Sequence, residues 1–148
     1  MKNVFRALFI LHLFVGLGAL GGGLMAMIFP EGPAGMPNDA LQNSPFTNYF
    51  IPGLILFTVI GLGNIFSAVM IKLNPKFQGY ISNIFSWALV IWIIVQCIML
   101  NTIAVPHVLY FFIGLAEAAL SVYVLFKQRL FPVNLLLDAY DRVKEKAK

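Results

Sequence analysis

Four long apolar runs follow one another in this chain, at 7–29, 51–71, 80–100 and 108–126, and none of them contains a lysine or an arginine. A helix rises 1.5 Å per residue, so about 20 mostly apolar residues cross the ~30 Å hydrocarbon core of a bilayer. Each run meets that length. Strands are excluded on physical grounds. A backbone in hydrocarbon must satisfy its own hydrogen bonds, and uninterrupted apolar runs of this length do so as helices.

Composition agrees. Of the 148 residues 60% are hydrophobic and only 11% charged, against about 25% charged in an average soluble domain. The mean hydropathy is +0.87. Four spans and their connections use up the chain, which leaves no room for a water-soluble catalytic domain. The expected fold is therefore all-α: a transmembrane four-helix bundle over residues 1–129, followed by a short amphipathic helix at 130–148. The first run is read as a retained helix. It is longer than the apolar core of a signal peptide and lacks a small-x-small cleavage site.

Charge orients the bundle. Lys2 and Arg6 precede the first run, and Lys72 and Lys76 separate the second from the third. Lys127, Arg129, Arg142, Lys144, Lys146 and Lys148 follow the fourth. All ten basic residues thus fall on one side, and the segments 30–50 and 101–107 hold none. The positive-inside rule places both termini in the cytoplasm, and the expected location is a bacterial inner membrane. A net charge of +4 could suggest nucleic acid, but these cations sit where topology needs them, so no nucleic-acid partner is expected.

The segment 30–50 is the only long connection. It is dense in turn formers, from Pro30, Gly32 and Pro33 to Asn43, Ser44 and Pro45. It also carries Met36, Leu41 and Phe46, which a solvated linker would not need. An ordered loop over the outer end of the bundle is expected, with a short helix near 38–42. Pro52 falls in the first turn of the second helix, where its missing N–H costs nothing. In the tail, Val133, Leu136, Leu137, Tyr140 and Val143 recur at helical spacing. They make a stripe suited to the membrane surface.

Glu117 is the one carboxylate inside a run. An ionised carboxylate near the bilayer centre costs several kcal/mol, so it should face the bundle interior and either take up a proton or find a hydrogen-bonding partner. Counting residues from each end puts His12, Asn64 and Glu117 in one depth band on the cytoplasmic side of the midplane. Gln96 falls in the outer half, nearer Asn101 and His107. An inner polar cluster and a weaker outer one are expected as ligand- or proton-binding sites.

Gly18 and Gly22 form a GxxxG pair, and Gly114 and Ala118 a second small-residue pair. Small residues let helix backbones approach closely, so these four are read as packing positions. Gly21, Gly22 and Gly23 are expected to bend or loosen the outer end of the first helix. Trp87 and Trp92 are read as lipid-facing or packing residues, and Tyr49, Tyr80 and Tyr110 as interfacial anchors. A single cysteine, Cys97, excludes an intramolecular disulfide. HExxH, GxSxG and P-loop motifs are missing, and no metal or other cofactor is expected.

The loop sequence from Pro30 to Pro37, then Ser44-Pro45-Phe46 and Ile51-Pro52-Gly53-Leu54, resembles a pattern in uncharacterised small bacterial four-helix integral membrane proteins. The resemblance covers about a third of the chain, and it implies a fold but no activity. Small multidrug transporters carry their essential Glu in the first helix, and vitamin K epoxide reductase-like enzymes need paired cysteines, so neither pattern fits. DoxX-like proteins share the size and helix count without a shared motif.

The expected role is non-enzymatic: binding of a lipid-like molecule or a membrane partner through the outer loop and a cleft around Glu117. Membrane lipids, a membrane protein or further copies of the chain are the expected partners. The alternative is a small oligomeric proton-coupled transporter or channel using Glu117. A lipid-directed enzyme would need a second catalytic group beside Glu117, for which His12 and Asn64 are the candidates.

Overall fold

A computed structural model describes residues 1–73 and 76–130, with Asn134, Leu135, Asp138, Tyr140, Arg142 and Lys144 beyond them. Four long helices account for most of the described residues: α1 (Lys2–Ile28), α2 (Phe50–Leu73), α3 (Gln78–Leu100) and α4 (Val105–Lys127). No strand occurs among the described residues. The amphipathic tail helix expected from residue 130 onward falls largely outside them.

Helix ends follow local chemistry rather than the edges of the apolar runs. α1 begins at Lys2 because nothing before Ala7 breaks a helix. α4 begins at Val105, three residues before its apolar run, because the N–H of Ala104 is capped by the His107 ring (N to Nδ1, 3.1 Å). His107 thus belongs to the helix and not to the connection. α1 runs as one helix through Gly21, Gly22 and Gly23.

The helices run up, down, up and down. Each packs on its sequence neighbour, and α1 closes the ring against α4. One end of the bundle gathers Lys2, Arg6, Lys72, Lys76, Lys127 and Arg129 (the basic end). The other gathers the 30–50 segment and the α3–α4 connection (the loop end). Small residues set the closest approaches. A Cβ on Gly23 would stand 2.7 Å from both the Gly53 carbonyl oxygen and the Phe57 nitrogen, and one on Gly16 would stand 2.7 Å from the Ile65 side chain. Gly53 in turn lies under Ala26, and Gly114 under Val90.

Within α2 the stretch Leu56–Leu62 widens into a π-helix. Two polar side chains intercept carbonyls at its margins. The Thr58 hydroxyl donates to Leu54 O (2.7 Å), and the Asn64 side-chain amide donates to Ile60 O (2.8 Å). Interruptions of this kind mark functional sites more often than chance.

The 30–50 segment is ordered, as its apolar content suggests. Short 3₁₀ turns form at Pro33–Gly35 and Asn38–Leu41. Leu41 and Tyr49 are buried against Ala26 and Met99, with Phe46 and Leu100 packed alongside. The Tyr49 N–H closes the segment onto Pro30 O at 2.9 Å, and its hydroxyl donates to Pro37 O at 2.9 Å. Tyr49 is therefore a core residue of the loop, not an interfacial anchor.

The outward faces remain apolar. Leu17, Ile91 and Phe112 are each more than half exposed, and only 33% of the most apolar window of each helix is buried. The four helices are long and apolar enough to cross a membrane. Trp87 belongs to this exposed belt, whereas Trp92 packs in the core with Val15, Ala19, Ile60, Leu89 and Ile93.

Candidate functional site

Three helices bring His12, Asn64 and Glu117 together. All three side chains have 0% exposure. His12 Nδ1 lies 2.7 Å from Asn64 Oδ1. The Asn64 amide cannot be turned about, because its nitrogen donates to Ile60 O. Its oxygen must therefore accept, so Nδ1 of His12 carries the proton. Nε2, on the far side of the ring, is then a lone-pair acceptor, buried and without a partner.

Glu117 approaches the same nitrogen, with Oε1 3.2 Å from Nδ1. The approach is not an aligned hydrogen bond, and neither Glu117 oxygen has a hydrogen-bond partner. The carboxyl group is held against a donor already committed to Asn64. The chemistry open to this constellation is proton binding, since Glu117 and His12 Nε2 both offer unused lone pairs.

Further polar groups run from the triad toward the basic end. Sequence reasoning passed over them because each is a small or neutral residue in an apolar run. Ser67 on α2, Gln78, Ser82 and Ser86 on α3 and Ser121 on α4 all have 0% exposure. Gln78 Nε2 donates to Ser82 Oγ (2.8 Å), and Ser86 Oγ donates to Ser82 O (2.6 Å). Asn83 Nδ2 donates to Ser121 Oγ across the α3–α4 interface (3.0 Å). The signal was present as spacing. Gln78, Ser82 and Ser86 recur every four residues, Ser121 stands four after Glu117, and Ser67 stands three after Asn64. Each set shares one helix face.

Toward the loop end the interior changes character. One turn from His12 and Asn64 lie Val15 and Ile60, which with Leu89 close off the triad. Beyond this layer a cavity of about 190 Å³ opens between the four helices. Gln96, His107 and Tyr110 supply its polar groups. Gln96 is thus apart from the triad and shares this cavity with His107. Because His107 Nδ1 accepts from the Ala104 N–H, its Nε2 carries the other proton and is a donor. A larger groove of about 1010 Å³ runs between α3 and α4, with Ile93 and His107 as walls common to both spaces. Asn101 and Thr102 stand at its polar margin and Cys97, Ile98 and Phe112 along its apolar length.

Gly18 and Gly22 lie on the wall of the smaller cavity. A Cβ on Gly18 would strike the Tyr110 hydroxyl, and one on Gly22 would meet only Leu56 Cδ2 at 3.5 Å. Neither seats a neighbouring backbone. That role falls to Gly16 and Gly23, one face around the helix. Gly114, by contrast, sits tightly under Val90 and Leu89, and Ala118 is buried one turn further on.

The cleft expected around Glu117 is displaced. The carboxyl group is enclosed, and the open space begins a turn away on the far side of Val15, Ile60 and Leu89. No group of three or more His, Cys, Asp or Glu side chains suited to a metal ion occurs among the described residues. No family model, curated protein or solved structure matches this chain.

Proposed function

We propose that this chain is a multi-pass integral membrane protein with both termini in the cytoplasm, and that it binds a lipid-like amphiphile without catalysis. The exposed apolar belt supports the embedding, since soluble monomers rarely expose apolar patches beyond a few hundred Å². The basic residues gathered at one end support the orientation, and make the loop end the outer one. A bacterial inner membrane and kinship with the small four-helix proteins resembled by the loop motif belong to the same reading.

The observation that carries it is the donor-lined cavity between the outer halves of the helices. Its ~190 Å³ is several times the ~30 Å³ share of one water and below the ~300 Å³ of the smallest drug-sized sites. It suits a head group and not a whole lipid. A tail fits the adjoining groove between α3 and α4. His107 Nε2–H donates, and the Gln96 amide and Tyr110 hydroxyl can each donate as well as accept, so a head group with carbonyl, ester or similar acceptor oxygens suits the cavity.

Native mass spectrometry of the gently extracted protein, followed by identification of what it retains, tests the reading. The wild type should hold one amphiphile. Gly22→Leu, which projects into the cavity without meeting backbone, should release it. Gly21→Leu, at a position with nothing within 4 Å, should keep it. An empty wild-type protein, or equal retention by the Gly22 variant, would overturn the assignment.

A further inference from the structure

Among the described residues, five of the buried polar side-chain atoms that lack hydrogen-bond partners fall between the triad and the basic end, and Trp92 Nε1 is another, in the apolar layer. His12 Nε2, both Glu117 oxygens, Ser67 Oγ and Gln78 Oε1 are all unpartnered, on four residues with no exposure at all. An orphaned buried polar group costs about 1–3 kcal/mol, so five on a single strip are a heavy load for a small bundle. They are not scattered. The contact between Gly63 and Phe85 fixes the register of α2 against α3 and brings the turn of Ser67 level with that of Ser82. The Asn83–Ser121 bond does the same for α3 and α4. Hydroxyls and amides therefore descend from Glu117 past Ser86, Ser67 and Ser121 to Ser82 and Gln78 at the basic end.

We propose that this strip is a binding site for a file of internal water molecules. It connects the Glu117 carboxyl to the cytoplasmic face and gives its proton one-sided exchange with that compartment. Water is the ligand whose chemistry fits, since it can donate to His12 Nε2, to Ser67 Oγ and to the Gln78 carbonyl, and accept from a carboxyl O–H. Outward lies the apolar layer of Val15, Ile60 and Leu89, whose one unpartnered polar atom among the described residues is Trp92 Nε1.

In this proposal Glu117 carries its proton as the neutral acid, because an ionised carboxylate with no exposure and no aligned hydrogen bond is costly. Exchange then replaces its O–H proton by one from water and leaves the count at the site unchanged. His12 is the one other titratable group at the triad. α2 brings only Asn64 and Ser67 to the strip, and α3 only Gln78, Ser82 and Ser86. The described cations stand at the basic end, with Arg6 six residues before His12 on α1, Lys72 over the Phe9 ring at 4.3 Å and Lys127 near Tyr123 at 5.9 Å.

The test is infrared spectroscopy of the full chain in lipid nanodiscs during exchange from H₂O to D₂O. The protonated carboxyl stretch is assigned by its loss in Glu117→Gln. In the wild type that band should shift on deuteration well before the helix amides exchange. Ser67→Ala and Gln78→Leu should each slow the shift about tenfold, as expected for losing one hydrogen-bonding station. Gly22→Leu, which fills the outer cavity, should leave the rate unchanged. The wild-type trace is decisive by itself. A carboxyl band that exchanges no faster than the amides overturns the proposal, and so does exchange slowed by the outer substitution alone. Loss of amphiphile binding in the Gly22 variant bears only on the outer cavity and leaves this result untouched.

Discussion

Three consecutive glycines of α1 ought to respond in opposite directions to one added methyl group. At Gly21 a Cβ meets nothing within 4 Å, and at Gly22 only Leu56 Cδ2 at 3.5 Å. Both positions should gain most of the ~1 kcal/mol by which alanine exceeds glycine inside a helix. At Gly23 the new carbon would lie 2.7 Å from Gly53 O and 2.7 Å from Phe57 N. Those are backbone atoms of α2 and cannot swing aside. To restore a contact of about 3.5 Å the helices must separate by several tenths of an ångström, with Ala26 lifted off Gly53 as they do. Overpacking of this kind costs about 1–3 kcal/mol, and more where backbone is the obstacle, so it outweighs the propensity gain. The propensity gain is common to both variants, so the gap between Gly21→Ala and Gly23→Ala should be the overpacking cost, about 1–3 kcal/mol. At about 2–4 °C per kcal/mol for a chain of this size, that separates their melting temperatures by roughly 2–12 °C. Thermal unfolding of the three variants in one detergent, followed by circular dichroism, measures it. If Gly23→Ala melts with or above Gly21→Ala, α1 and α2 are not in backbone contact there and the packing of these two helices is wrong.

Two further perturbations probe other parts of the molecule. Asn64→Leu strands His12 Nδ1–H, while Ile60 O keeps the Gly63 N–H, and should destabilise the fold by about 1–3 kcal/mol, more than the ~0.6 kcal/mol typical of a single hydrogen bond between membrane helices. The double variant His12→Phe/Asn64→Leu should recover part of that loss, because removing both partners of a buried bond costs less than removing one; unfolding of the two proteins side by side checks the order. At the loop, burial first and the nearby Asp39 charge second push the Tyr49 hydroxyl above its ordinary ionisation range. A raised value in the folded state means that docking of the 30–50 segment is fully stabilised below about pH 10 and weakens as the pH climbs through the folded value. Limited proteolysis of the loop should rise steeply at that point in the wild type. In Tyr49→Phe, which lacks the hydroxyl that donates to Pro37 O, proteolysis should start higher and show no alkaline step.

What was legible in the sequence divides along physical lines. Long uninterrupted apolar runs favour long helices, so the number, class and approximate limits of the four helices could be counted directly. Depth is a linear function of residue number in a helix, which is why residue counting alone groups His12, Asn64 and Glu117. Rotation about the helix axis is not given by depth. GxxxG at Gly18 and Gly22 stands out as a motif, yet the face that seats α2 is Gly16, Ala19, Gly23 and Ala26, a run of small residues at alternating three- and four-residue steps. The choice between two small-residue faces on one helix depends on the partner, and the partner's matching sites, Gly53 and Gly61, carry no motif of their own.

The same distinction explains why the interior is chemically divided in two. In α3 the polar residues Gln78, Ser82 and Ser86 give way, on the same face, to Leu89, Val90 and Ile93. α4 makes the matching change in reverse, from Gly114 to Glu117 and Ser121. Because the two helices are antiparallel, the changes meet at one level, and α2 adds its π-segment there. Within the widened turn Ile60 O accepts from both the Gly63 N–H and the Asn64 amide, while the Asn64 oxygen positions His12. The π-helix, the triad and the Val15–Ile60–Leu89 layer are thus one construction. Rotation of the Asn64 amide would forfeit both its bond to Ile60 O and the contact that fixes which nitrogen of His12 bears the proton.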